Sequence, residues 1–75
     1  MIKISFEEEY KKNKNFQFEY VREIMAQLRK FEKSNNIHSS YFRNTSFSID
    51  VEFENKKYET LFLLTYNLPF RITHD

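Results

Sequence analysis

Ile2, Ile4 and Phe6 alternate with Lys3 and Ser5, the period-two signature of a strand with one buried face, here spanning residues 1–6. Glu7 to Asn15 then lose all periodicity and carry both charges in blocks, so they read as an exposed connection in which Asn13 or Asn15 can cap the next element. From Phe16 the spacing changes to 3.6. Phe16, Tyr20, Ile24, Leu28 and Phe31 form one stripe, widened by Val21 and Met25, with charged residues on the opposite side, which predicts a helix over residues 16–34. Asn36 is placed to close it in the left-handed conformation that glycine usually supplies.

A polar stretch from Ile37 to Asn44 reads as a loop. Strict alternation of Phe47, Ile49, Val51 and Phe53 with Ser48, Asp50, Glu52 and Glu54 then predicts a strand over 46–54. With Asn55-Lys56 as a two-residue turn, a second strand over 57–66 falls into register, Phe53 opposite Tyr58, Ile49 opposite Phe62 and Phe47 opposite Leu64. The same register sets Glu52 against Glu59, an unfavourable like-charge pair. Leu61 and Leu63 put bulk on the other face of this strand, which marks it as central, flanked by the strands over 1–6 and 46–54 in a right-handed β-α-β passage. Phe70 and Ile72 alternate with Arg71 and Thr73 in a short edge strand over 70–73, after Pro69.

The expected architecture is α+β, one small domain over 1–75 in the order β-α-β-β. One helix packs on one face of a mainly antiparallel sheet of three to four strands.

Composition changes this picture mainly by exclusion. The chain has 75 residues, no Gly and no Cys. Without glycine it lacks the phosphate-cradling loops, dinucleotide turns and nucleophile elbows that need a residue free of Cβ. Without cysteine it has no zinc finger, thiolate chemistry or disulfide, which suits a reducing compartment. Nine Phe and five Tyr supply a core, yet a chain this short leaves a small stability margin that association with a partner would widen. Twelve basic against eleven acidic side chains, net +1, single out no partner by charge. Abundant Phe, Tyr, Ile, Asn and Lys point to an AT-rich gene, of the kind found in some bacteria and their phages. No apolar run reaches membrane-span length and no signal-peptide pattern opens the chain, so a cytoplasmic protein is expected, with no cofactor.

Candidate chemistry is sparse. His38 and His74 stand far apart without further ligands at metal-site spacing. His38 beside Ser39, Ser40, Tyr41 and Arg43 could serve a small ribonuclease as base, acid and phosphate clamp. Glu7, Glu8 and Glu9 read as a solvated run. For nucleic acid the candidates are Lys11, Lys12 and Lys14, then Arg29, Lys30 and Lys33, then Lys56 and Lys57, but a helix of this length holds its ends about 25 to 30 Å apart, against one continuous stripe. Phe47, Phe53, Tyr58 and Phe62 are expected in the core rather than as a base-stacking platform. The strongest expectation is a protein-binding surface, Leu61 and Leu63 on the uncovered sheet face, with Tyr41 and Phe42 in the loop as a further contact. The function expected is a non-enzymatic module that acts by occupying a surface on a larger protein, as a homodimer or as an inhibitor or regulator of a host or defence protein carried by a phage or mobile element.

Overall fold

The computed structural model describes residues 1–74, without the side chains of Asn44 and His74. Its elements run β1 (Ile2–Ser5), α1 (Glu7–Lys12), a 3-10 turn (Lys14–Phe16), α2 (Gln17–Asn35), β2 (Ser39–Thr45), β3 (Ser48–Phe53), α3 (Lys56–Thr65) and β4 (Arg71–His74). The strands form one antiparallel sheet in the order β2-β3-β1-β4. This is the α+β class expected, and β1, α2, β2 and β3 give the β-α-β-β order. With α3 and β4 the connectivity becomes that of the split β-α-β, or ferredoxin-like, plan, in which each helix joins two parallel strands that have a third between them.

Three segments depart from the sequence reading. The connection over 7–15 holds a helix, because Phe6 and Tyr10 are four apart, Tyr10 N–H donates to the Phe6 carbonyl at 2.8 Å, and Glu7 pairs with Lys11 at 3.3 Å. The loop over 37–44 is largely β2, an edge strand. Its pattern hid it, since neither face of an edge strand need be uniformly apolar. The strand over 57–66 is helix α3.

This last correction has a clear cause. Tyr58, Phe62 and Tyr66 fit a period of four as well as a period of two, and the Asn55 side chain accepts the Lys57 N–H at 2.9 Å, a helix cap rather than a hairpin turn. Both sides of β3 are already taken, by β1 with Ile4 opposite Ile49 and by β2 with Tyr41 opposite Val51. A hairpin partner for β3 has no place to pair. The like-charge contact also disappears: Glu59 instead meets the N-terminal amine at 3.2 Å. The central strands are therefore β1 and β3, and the parallel pair of the β-α-β passage is β1 with β2, flanking β3.

Both α2 and α3 pack on one face of the sheet, where a single helix was expected. Ile2, Ile4, Ile49 and Val51 from the sheet meet Ile24 and Leu28 from α2 in the buried centre. At one end Phe31, Phe53 and Phe62 pack ring to ring with centroids 5.2 to 5.5 Å apart. At the other end Phe6, Tyr20 and Phe70 do the same at 5.5 to 6.1 Å. Phe53 and Phe62 are thus core, as expected, and Phe47 and Tyr58 are half-buried against it. Phe16, assigned to the buried stripe, sits in the 3-10 turn and is exposed. Asn36 closes α2 at φ 53°, with the Ile37 N–H reaching back to the Glu32 carbonyl at 3.1 Å. No helix among the described residues is long and apolar enough to cross a membrane.

Candidate binding surface

The strand order leaves β2 and β4 as the edges of the sheet. They differ in how well they are guarded. Strand β4 is four residues long and follows Pro69, whereas β2 is seven residues long and contains no Pro and no Lys.

The hydrogen-bond phase of the sheet shows which groups of β2 are free. Phe6 N–H donates to the Phe47 carbonyl at 2.8 Å, so in β3 the odd-numbered residues turn their backbone groups toward β1 and the even-numbered ones toward β2. In the β2–β3 register Ser40 and Phe42 receive them. Ser39, Tyr41 and Arg43 then direct their N–H and C=O groups outward. Ser39 N–H already has a partner in Glu32 Oε2 at 2.8 Å, which its hydroxyl also meets at 2.7 Å. The outward groups of Tyr41 and Arg43 face solvent along a strand that also exposes Tyr41 by 50% and Phe42 by 48%.

Those two rings do not lie together. Tyr41 pairs with Val51 on the helix-covered side and Phe42 pairs with Asp50 on the open side. The open side is otherwise polar, formed by Lys3, Ser5, Ser40, Ser48, Glu52, Arg71 and Thr73 around Asp50. Asp50 is only 6% exposed, and its buried Oδ1 lacks a hydrogen-bond donor. Its register neighbours are Phe42 and Lys3.

Helix α2 runs antiparallel to β2 and is tied to it at both ends. Gln17 Nε2 donates to the Ser46 carbonyl at 2.6 Å, and Glu32 accepts from Ser39 as above. Helical spacing puts Phe18, Val21, Met25 and Arg29 along the side of α2 that also carries Glu32, the residue bonded to Ser39 of β2. Phe18 is 74% exposed. The sequence reading gave it no role. Its signal was an aromatic residue lying off the buried stripe of Tyr20, Ile24, Leu28 and Phe31.

The apolar strip expected from Leu61 and Leu63 is not on the sheet at all. Both residues belong to α3 and are half-buried against the core, while the exposed one is Leu64. Leu61 lines a groove of about 290 Å³ between α2 and α3, with Gln27, Phe31 and Asn67 among its walls. Leu61 and Leu63 therefore do not join Tyr41 and Phe42 in one surface.

The basic residues divide between two ends of the molecule. Lys11 and Lys12 on α1 and Lys14 in the 3-10 turn lie at the end where β1 finishes, with Lys14 Nζ 5.9 Å from the Tyr10 ring centre. Arg29, Lys30 and Lys33 on the later turns of α2 approach the other end, where Lys56 and Lys57 open α3. Glu32, Glu52 and Glu54 occupy that end as well. The open sheet face carries one ring, Phe42, among the described side chains.

The His38 constellation does not assemble. A shallow opening of about 460 Å³ is lined by His38, Ser39, Ser40, Glu52, Phe53 and Glu54. Arg43 stands five residues along an extended chain from His38, roughly 16 Å away, and Tyr41 points to the helix side. Ser39 Oγ is bonded to Glu32 rather than to an imidazole. No group of three His, Cys, Asp or Glu side chains among the described residues could hold a metal, and the His74 side chain lies outside them.

No protein-family model, curated protein or solved structure matches the chain.

Proposed function

We propose that this chain is a non-enzymatic protein-binding module of the cytoplasm that acts by occupying a surface on a larger protein, and that its contact surface is the β2 edge with Tyr41 and Phe42. The observation that carries this reading is a seven-residue edge strand with outward backbone groups and a half-exposed ring on each side. An unpaired edge without Lys or Pro invites an added strand, in which main-chain hydrogen bonds supply affinity and alternate side chains supply selectivity. Inhibition or regulation of a host enzyme by a phage or mobile-element protein is the setting in which so small a module suffices. Nucleic acid is the weaker alternative, because its basic residues stand at two ends and the open sheet face offers a single ring for stacking.

The test uses the tagged chain to retrieve a partner from host lysate, followed by affinity measurement on the purified pair. Tyr41→Asp and Phe42→Asp, both at exposed positions, should each weaken that pair by about tenfold or more. Equal affinity for wild type and both variants would place the contact elsewhere and reject the reading.

A further inference from the structure

We infer that the occupant of the β2 edge is a second copy of this chain, paired antiparallel through β2 about a two-fold axis at Phe42, so that two four-stranded sheets join into one of eight strands. The inference rests on the proposed function, which makes β2 the contact surface, and goes beyond it by saying what covers that edge when no larger partner is bound.

The backbone phase selects the register. Only Tyr41 and Arg43 carry free outward groups in the middle of β2, and two-fold symmetry allows them to bond reciprocally when Tyr41 of one copy opposes Arg43 of the other. That pairing puts Phe42 opposite its own symmetry mate at a non-hydrogen-bonded position, where side chains approach most closely. The strand is self-complementary in this register. Each copy presents one ring and one cation two residues apart on the same face, so Arg43, whose guanidinium donates to its own Ser46 carbonyl at 3.2 Å, lies opposite the Tyr41 ring of the other copy, within reach of a cation–π contact on association. The two Arg43 side chains are not opposite one another, and β2 has no acidic residue to be set against its mate.

Helix α2 extends the contact. Its ties at Gln17 and Glu32 put the middle of the helix, near Met25, above the middle of β2. The axis at Phe42 therefore brings the two α2 flanks side by side and antiparallel, Met25 near Met25 of the other copy and Val21 toward the other copy's Arg29. Six large side chains and a seven-residue edge from each copy bring the buried area to roughly 1,200 Å², the lower bound for a specific interface, so the dimer should be of micromolar strength and depend on concentration.

The absence of cysteine makes a clean cross-linking test. Phe42→Cys at the axis should oxidise to a covalent dimer about tenfold faster than Ser40→Cys, since the former faces itself at disulfide distance and the latter stands two residues off the axis, away from its own mate. Light scattering on the wild type should show mass rising from monomer to dimer between low micromolar and submillimolar concentration, and Phe42→Asp, which sets two carboxylates face to face, should stay monomeric with an unchanged circular dichroism spectrum. A wild type that remains monomeric throughout, or equal cross-linking of the two cysteine variants, overturns the dimer. A monomeric wild type whose retrieved protein partner is still lost on Phe42→Asp overturns the dimer alone and leaves the proposed function standing; loss of neither contact rejects both.

Discussion

Replacing Phe62 by Leu, with Leu64→Glu as its companion, tests the helical assignment of residues 56–65 through its energetic consequences. Phe62 is 1% exposed and its ring lies 5.2 Å from Phe31, 5.4 Å from Phe53 and 6.0 Å from Tyr66. Leucine keeps part of the buried area but loses the edge-to-face geometry and leaves a void where the ring stood. A cost of about 2 kcal/mol follows, below the 3 to 5 kcal/mol of a truncation to alanine. The milder change is needed because a chain of this length has a total stability of roughly 4 to 11 kcal/mol. Leu64 is 76% exposed on α3, so Leu64→Glu should change stability by no more than about 0.5 kcal/mol. In a β-hairpin over 46–66 the same Leu64 would oppose Phe47 on the core face, and a carboxylate there would be the more damaging change. Urea and thermal melts followed by far-ultraviolet circular dichroism read both variants. Phe62→Leu should lower Tm by about 8 to 16 °C. If Leu64→Glu destabilises as much as Phe62→Leu, the helix and its packing are wrong.

Three further outcomes follow from single contacts. Asn55→Ala removes the acceptor for the Lys57 N–H and should cost about 1 kcal/mol in a urea melt, and an unchanged midpoint would contradict the cap. Asp50→Asn removes charge from a buried carboxylate that lacks a donor and should raise the urea midpoint; a fall would show that the neighbouring Lys3 ammonium outweighs the burial cost. Burial, helped by the Glu9 charge, raises the Tyr66 phenol above its ordinary value, and its hydroxyl donates to the Phe70 carbonyl at 2.8 Å. The folded state thus holds this proton more tightly than the unfolded chain, so the contribution is complete below about pH 10 and is lost as pH rises beyond it. Tyr66→Phe should flatten that alkaline loss in a series of urea melts, and an unaltered alkaline limb would contradict the assignment.

Several parts of the fold were legible because one period dominated. Helix α2 and strand β3 have long runs at a single spacing, and Asn36 stands where a left-handed residue is needed in a chain without glycine. Residues 57–66 satisfied two periods at once. What decided between them was long-range: β3 is already paired on both sides, and no local pattern displays that. The Glu52–Glu59 repulsion was the sequence's own warning against the hairpin. Strand β2 escaped notice for the opposite reason, since an edge strand exposed on both faces has no apolar alternation to detect. Tyr41 and Phe42, two adjacent rings in a polar stretch, were expected as a contact, and both are half-exposed. Leu61 and Leu63 were assigned to a sheet face that their helix does not form.

The claim that the β2 edge is the contact surface is tested most directly by amide hydrogen exchange read residue by residue, on the chain alone at dilute and concentrated conditions and in complex with any retrieved partner. In the dilute chain Ser40 and Phe42 amides should be protected by β3 while Tyr41 and Arg43 amides exchange freely, and association should slow Tyr41 and Arg43 selectively. Association that leaves those two amides as fast as before, while protecting α1 or α3, would contradict the account.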